Sequence, residues 1–274
     1  MSTYVSNAIY GLAVADALGV PGEFKARGTY QITGMHGGGF HAQPAGTFSD
    51  DTSMTLACCD SLKHTNLHVD VDDMRARFCN WWHEGAYAID GCVFDIGSTV
   101  AQALAEGRGL AGKRSCGNGS LMRIVPLAFV PNITDEEIKA VSAITHAHPI
   151  CMEGCVLYVR LAQQLAAGAD PRKAIHALPA QGAFELLPHV EELSLETISS
   201  SGYVVDTLEA ALWALVHTSS YRDCVLACAN MGRDTDTVAA VAGALAGIVY
   251  GYDGIPREWL RALRGKEIIE GCLW

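Results

Sequence analysis

The sequence predicts an all-α protein, and three observations support this fold class. Most of the chain consists of segments in which apolar residues recur at helical spacing. Strand-like runs are confined to residues 30–33 and 203–205, and no strands alternate with helices. Val238 to Gly251 is an uncharged segment rich in Ala and Gly, which suits a central buried helix. We expect a compact single domain over residues 1–274, an orthogonal multi-helix bundle rather than a simple up-down bundle.

Composition narrows the class of protein further. Half of the 274 residues are hydrophobic, which is ample for a large core, and the net charge is −11. This charge argues against direct binding to nucleic acid or to an anionic membrane. The longest uncharged apolar run, near Val238 to Tyr252, is shorter than the ~20 residues of a membrane span. Ten cysteines without a CxxC pair indicate reduced thiols. We expect a monomeric cytoplasmic protein.

The first half of the chain is predicted to contain helices over residues 6–18, 50–62, 70–82 and 98–106. Gly19, Pro21 and Gly22 end the first helix. A glycine-rich, irregular stretch from Glu23 to Thr47 follows, and a long loop of this kind is typically functional or disordered. Because it leads directly into an acidic cluster, we expect it to be functional.

In the second half, residues 114–130 are predicted to pair a glycine-rich turn with a helix. A capping box from Thr134 to Glu137 starts a helix over residues 135–147. The apolar pattern then predicts helices over residues 150–167, 171–178, 205–216 and 221–229, before the central helix near the end of the chain.

Two acidic clusters precede apolar helical runs. Ser49-Asp50-Asp51 lies before one, and Asp234-Thr235-Asp236-Thr237 lies before the central helix. Capping of a helix requires only one such residue, and paired carboxylates repel each other unless a positive charge lies between them. If the clusters meet in space, their oxygen atoms suit divalent cations. Capping alone remains the alternative.

Other polar residues have two interpretations each. Glu23 is a loop acid or a site residue, and Asp95, between Phe94 and Ile96, caps a helix or donates a proton. The turn Gly117-Asn118-Gly119-Ser120 is a plain turn or a phosphate site formed by backbone N–H groups. His146 is structural or catalytic, and Tyr203 packs or contacts a ligand.

The chain resembles the ADP-ribosylglycohydrolases over about residues 6–252. The motifs that carry the resemblance are GLAVADALGVPGEF, FSDDTSMTL, FDIG, GNGSLMRIVPLAF, THAHP, SGYVVDTLEAALWAL and NMGRDTDTVAAVAGALAGIVYG. The two acidic motifs together are the most specific of these. The chain departs from many relatives at Arg233, where a small residue or an acid is common. This arginine could contact the substrate or cover the metals.

The resemblance implies an all-α fold with two divalent ions, Mg²⁺ or Mn²⁺, at its centre. It implies that Glu23 lies next to the reacting ribose and that Asp95 assists the chemistry. Two larger sets are also implied. The metal ligands are Ser49, Asp50, Asp51, Asp234, Asp236 and Thr237. The remaining ADP-ribose contacts are Gly117, Asn118, Gly119, Ser120, His146 and Tyr203.

The implied activity is removal of ADP-ribose from modified proteins, most simply from arginine through its N-glycosidic bond. Such a bond breaks through an oxocarbenium-like transition state, and the leaving guanidine needs a proton. Linkage to serine or to another group stays open. A dimetal hydrolase of phosphoesters and a non-catalytic ADP-ribose binder are the alternatives from other classes.

Overall fold

The computed structural model describes residues 3–274, and within them the protein is all-α, as predicted. The α-helices in this range are α1 (Thr3–Gly19), α2 (Asp50–His64), α3 (Val71–Glu84), α4 (Ser98–Glu106), α5 (Asp135–Ser142), α6 (Pro149–Ala166), α7 (Pro171–His176), α8 (Val204–His217), α9 (Tyr221–Ala229), α10 (Thr235–Tyr250), α11 (Arg257–Ala262) and α12 (Lys266–Cys272). Short 3-10 helices, including Val125–Phe129, lie between them. No helix in this range is both long and apolar enough to cross a membrane.

Helix α10 is the centre of the molecule. Every residue from Thr235 to Ile248 is buried, and the helix packs against α1, α2, α6, α8 and α9. Its small side chains allow α1 to approach closely: a Cβ atom added to Gly243 would lie 2.3 Å from the Ala15 Cβ, and one added to Gly247 would lie 2.2 Å from the Asn7 carbonyl oxygen. The two helices run antiparallel, so the end of α1 lies beside the start of α10.

Side chains fix where several helices begin. Ser49 accepts the Asp51 amide and caps α2, and Asp70 accepts the amides of Asp72 and Asp73 and caps α3. The predicted capping box of α5 is present, with Thr134 and Glu137 bonded reciprocally. The ten cysteines, all within the described range, are free thiols.

Two helix predictions are wrong in extent. The segment after the glycine-rich turn is a series of turns and a 3-10 helix, because Pro126 supplies no amide and the Arg123 guanidinium donates to the Gly119 carbonyl. Helix α5 ends at Ser142 rather than at residue 147. There the chain turns toward Leu110, whose amide donates to the Thr145 carbonyl and whose carbonyl accepts the Ala147 amide.

Neither strand-like run forms a strand. Around residues 30–33, the Asn230 side chain bonds both the amide and the carbonyl of Ile32, which occupies the groups a neighbouring strand would use. Tyr203 makes only an isolated bridge to Gly117 before α8 begins.

Candidate active site

The two acidic clusters meet at the centre of the bundle. The Thr237 hydroxyl, at the start of α10, donates to Asp51 Oδ2 at the start of α2 over 3.3 Å. Asp16, near the end of α1, holds the Ser49-Asp50-Asp51 cluster in place. Its carboxylate accepts the Ser49 amide at 3.0 Å, and it accepts both the amide and the hydroxyl of Thr52 at 3.1 Å and 2.6 Å. Helices α1, α2 and α10 therefore converge on one polar point.

The acids at this point lack the partners that buried carboxylates normally have. Asp51 Oδ1 and Asp236 Oδ2 are buried and accept no hydrogen bond from the residues that the structure describes. Within residues 3–274, no lysine, arginine or histidine pairs with Asp50, Asp51, Asp234 or Asp236. Burial, and then repulsion from neighbouring carboxylates, raises the pKa of Asp50, Asp51 and Asp236. These oxygens are suited to hold hard divalent cations.

Capping does not account for the acid that precedes α10. Asp234 occupies the N-cap position, but its side chain makes no capping hydrogen bond. Its Oδ2 atom instead accepts the Asn118 side-chain amide at 2.8 Å. Burial raises the pKa of Asp234, while the Asn118 hydrogen bond opposes this increase. The side chain is thus directed into the site rather than toward its own helix.

Glu23, His41 and Asp95 form a second polar group, which we name the acid–histidine triad. One ligand atom from each lies within 4.8 Å of the others. His41 Nε2 is 2.8 Å from Glu23 Oε2 and 3.4 Å from Asp95 Oδ1. Burial, followed by the charges of Asp95 and Asp234, raises the pKa of Glu23 to about 9. Burial also raises the pKa of Asp95, although His41 opposes this effect. The triad can therefore hold a proton at neutral pH.

The alternative role of Asp95, capping of α4, is wrong. The N-cap of that helix is Gly97, and no side chain makes a capping hydrogen bond there. Asp95 has a φ of +62°, a left-handed conformation, and its carboxyl group points toward the cavity and the triad.

The predicted phosphate turn contacts the acidic cluster at the start of α10, since the Asn118 side chain donates to Asp234. The Asn118 amide donates to the Gly202 carbonyl at 3.0 Å, and this bond joins the turn to the loop that carries Tyr203. In the described part of the chain, the amides of Gly119 and Ser120 donate to no protein oxygen. The Ser120 hydroxyl is buried and accepts from Ser142 at 2.9 Å. The serine hydroxyl of this turn is therefore engaged within the protein.

His146 is held as a neutral imidazole behind this turn. Its Nδ1 atom lies 2.8 Å from the Thr145 hydroxyl, and Thr145 also accepts from the Arg123 guanidinium at 2.8 Å. Burial, and secondarily the Arg123 charge, lowers the pKa of His146 to about 3. His146 Nε2 is directed toward Gly117 and Gly119, so it can form hydrogen bonds without carrying charge.

A cavity of about 700 Å³ connects these groups, a volume typical of small-ligand sites. The predicted site residues that line it are Glu23, Asp50, Asp95, Gly117, Asn118, Gly119, His146, Asp234 and Thr237. The predicted site residues outside its lining are Ser49, Asp51, Ser120, Tyr203 and Asp236. Ser49, Asp51 and Asp236 are buried directly beneath the cavity floor, while Tyr203 lies beside the turn.

Three lining residues have the left-handed backbone that side chains rarely adopt: Phe24 (φ +60°), Asp95 (φ +62°) and Arg233 (φ +63°). Phe24 and Arg233 hold each other in place. The Phe24 amide donates to the Arg233 carbonyl at 2.6 Å, and the Arg233 amide donates to the Lys25 carbonyl at 2.8 Å. Backbone strain of this kind concentrates at functional sites.

Sequence reasoning missed three residues that shape the site: Asp16, His41 and Arg123. Asp16 is enclosed in an apolar helix, where its charge is the signal for a buried partner. Arg123 is likewise a fully buried charge in an apolar run, packed on the Phe78 ring. His41 lies in the irregular loop, where spacing gives no information about its neighbours.

Comparison with known proteins agrees with this geometry. The family model described as ADP-ribosylglycohydrolase matches residues 4–273. The ADP-ribosylarginine hydrolase Tri1 of Serratia proteamaculans is 35% identical over 96% of this chain and 75% of its own length. The ADP-ribosyl-[dinitrogen reductase] glycohydrolase of Rhodospirillum rubrum is 32% identical over 94% of this chain and 90% of its own.

A solved structure extends the similarity to three dimensions. The ADP-ribosylglycohydrolase-related protein complex superposes with a TM-score of 0.81 at 31% identity. The match covers 97% of this chain and 94% of that one. The chain therefore belongs to the ADP-ribosylglycohydrolase family, and it is a glycohydrolase.

Proposed function

We propose that this protein hydrolyses the N-glycosidic bond between ADP-ribose and arginine in modified proteins, with the aid of two divalent cations, Mg²⁺ or Mn²⁺. One observation carries the proposal: Asp50 and Asp234 from the two acidic clusters and the proton-holding pair Glu23 and Asp95 line a single cavity of about 700 Å³. The activities for which the Serratia and Rhodospirillum relatives are named support the substrate class.

The residues present fit the two ions. Within residues 3–274, Asp51 Oδ1 and Asp236 Oδ2 accept no hydrogen bond, and every donor atom in the two clusters is an oxygen. Ser49, Asp50, Asp51, Asp234, Asp236 and Thr237 would hold the ions, and four carboxylates can balance the charge of two divalent cations. When bound, such ions act as Lewis acids and as a template for the ribose hydroxyls and a water molecule.

The acid–histidine triad supplies the protons in this scheme. As the bond between the ribose anomeric carbon and the guanidine nitrogen breaks, Asp95 or Glu23 donates its proton to that nitrogen. The resulting carboxylate then accepts a proton from the water that attacks the anomeric carbon. His41 contacts both carboxyl groups and positions them for this exchange. The raised pKa of Glu23 allows a carboxylic acid to serve at neutral pH.

The turn from Gly117 to Ser120 and the residues beside it bind the rest of the ligand. The amides of Gly119 and Ser120 are available to the diphosphate, and neutral His146 adds a hydrogen bond without charge repulsion or attraction. Tyr203 packs beside the turn, where its ring can contact a sugar or the adenine. Because the whole protein is acidic, local amides and cations, rather than the global field, attract the ligand.

The decisive experiment compares peptides that carry ADP-ribose on arginine or on serine, each with Mg²⁺, with Mn²⁺ and with a chelator. We expect release of free ADP-ribose from the arginine-linked peptide only when metal is present. Release from the serine-linked peptide alone would reassign the linkage. Equal release in chelator would contradict the metal requirement.

A further inference from the structure

Aromatic rings lie next to His41 of the acid–histidine triad, and one of them, Phe24, also lines the cavity. Phe24 and Phe40 are 60% and 72% exposed, and their rings meet edge to face with centroids 4.9 Å apart. The His41 ring lies 5.1 Å from the Phe40 ring and 5.1 Å from the Phe94 ring. We name Phe24, Phe40 and Phe94 the aromatic rim.

The backbone of the rim is strained at Phe24. Phe24 keeps a left-handed backbone, which is strained for a bulky side chain, and two backbone hydrogen bonds with the Lys25 and Arg233 segments fix it there. Phe24 follows Glu23 directly, yet the Glu23 side chain is only 4% exposed. The Glu23 side chain is therefore buried, while the ring of the next residue, Phe24, is exposed.

The aromatic rim favours a planar cation. Exposed aromatic faces attract cations, and a guanidinium also stacks on aromatic rings. The Glu23 and Asp95 carboxyl groups lie next to the rim, and within residues 3–274 neither pairs with a lysine or an arginine, so their oxygens are available to guanidinium N–H groups. Two arginines, Arg114 and Arg233, also line the cavity, but within residues 3–274 neither forms an ion pair with Glu23 or Asp95.

The geometry points to the aromatic rim as the binding site for the guanidinium of the modified arginine, an assignment that rests on the proposed function. The leaving nitrogen must come within reach of the Glu23 and Asp95 carboxyl groups, and Phe24, which follows Glu23 directly and lines the same cavity, then lies beside the rest of the guanidinium. Phe40 packs edge to face on Phe24 and extends this surface outward. Phe24 and Phe40 thereby set the preference for arginine-linked over serine-linked substrates.

The test uses the Phe24→Leu, Phe24→Trp, Phe40→Leu and Phe40→Trp variants of the metal-loaded protein. Leucine keeps apolar area without an aromatic face, whereas tryptophan keeps the face. Substrates are an arginine-linked peptide and a small ADP-ribosylated alkylguanidine that has no peptide. Tyr4→Ala is the matched control, because Tyr4 is 46% exposed but lies about 18 Å along α1 from Asp16.

We expect the leucine variants to raise KM roughly 3- to 30-fold for both substrates, with kcat little changed, as loss of a cation–π contact predicts. The tryptophan variants should restore KM, and the Kd for ADP-ribose, which has no guanidinium, should stay unchanged in all variants. An unchanged KM in both leucine variants would overturn the assignment, as would an effect confined to the peptide, which would show contact with the peptide chain instead. A wild-type protein inactive on both substrates would overturn the proposed function itself.

Discussion

Asp95 illustrates how the surroundings of a single residue decide its chemistry. It lies between apolar neighbours, 3.4 Å from His41, in a left-handed backbone conformation with a φ of +62°. Burial keeps a proton on its carboxyl group to higher pH than in water. It caps no helix, so proton transfer is the role that its position supports.

Replacing Asp95 by Asn should therefore slow turnover strongly without changing the structure of the site. Asparagine keeps the shape but cannot donate an acidic proton, so we expect single-turnover hydrolysis of an arginine-linked substrate to slow about 10²–10⁴-fold. Metal content and ADP-ribose affinity should stay at wild-type values. A variant that reacts at the wild-type rate would remove Asp95 from the chemistry, and one that loses metal would make it a ligand.

Gly119 tests the diphosphate turn. A Cβ atom at this position would lie 2.8 Å from His146 Cε1 and 3.0 Å from Val100 Cγ2, so Gly119→Val must push the turn or the imidazole out of place. Overpacking of this kind costs about 1–3 kcal/mol, and we expect ADP-ribose affinity by calorimetry to fall correspondingly. Gly117→Ala is the matched control, because its nearest contact would be 3.5 Å. Equal affinity in both variants would exclude the turn from the site.

At the residue scale, what the sequence revealed depended on local chemistry. Asp50, Asp51, Asp234 and Asp236 were predictable as a meeting point, because paired acids before apolar helices are unexplained by local structure alone. His41 was not predictable, since its partners Glu23 and Asp95 are brought to it only by the folded loops.

At the level of elements, the contact between α1 and α10 sets the position of the catalytic groups. Asp16 near the end of α1 and Asp236 at the start of α10 lie on helices that touch through backbone atoms. A Cβ at Gly243 would lie 2.5 Å from the Gly11 carbonyl oxygen as well as close to Ala15. The spacing of these helices therefore determines how far apart the two acidic clusters lie.

Gly243→Val should disturb both stability and activity. The added side chain meets backbone, which cannot rotate away, so we expect a loss of about 1–3 kcal/mol or more in the free energy of unfolding, measured with urea. Activity should fall as well, because α1 and α10 separate. Gly271→Ala in α12 serves as the control, since nothing lies within 4 Å of its added Cβ and alanine favours a helix. A Gly243→Val variant as stable as this control would contradict the packing argument.

Helices were predictable where their pattern is long and their start is marked. Residues 98–106 and 221–229 were predicted with the bounds of α4 and α9. Helices α11 and α12 were not predicted. They have six and seven residues, and helices this short show no clear period of apolar residues. The shortened α5 reflects tertiary hydrogen bonds to Leu110, which local sequence does not encode.

Over the whole molecule, the buried acids make the stability of the fold depend on what neutralises them. Without a cation, the folded protein must keep protons on groups that lose them readily when unfolded. The pKa of Asp16 is raised to about 6 and that of Glu23 to about 9, in each case chiefly by burial. A bound divalent cation removes this requirement, because it stabilises the deprotonated acids and binds only the folded state.

Metal-free protein should therefore lose stability as pH rises. A carboxyl group whose folded pKa exceeds its unfolded value binds more protons when folded, so the free energy of unfolding falls between the unfolded pKa, about 4, and the folded pKa. From the raised values of Asp16 and Glu23, we expect Tm in chelator to decline between about pH 5 and pH 9. In saturating Mg²⁺ or Mn²⁺ the decline should be smaller, so the difference in Tm between the two conditions widens with pH.

Asp236→Asn removes one buried charge and one ligand, and it should narrow the difference in Tm between metal and chelator at every pH. Equal Tm values with metal and with chelator at about pH 8–9 would contradict a metal site at these acids.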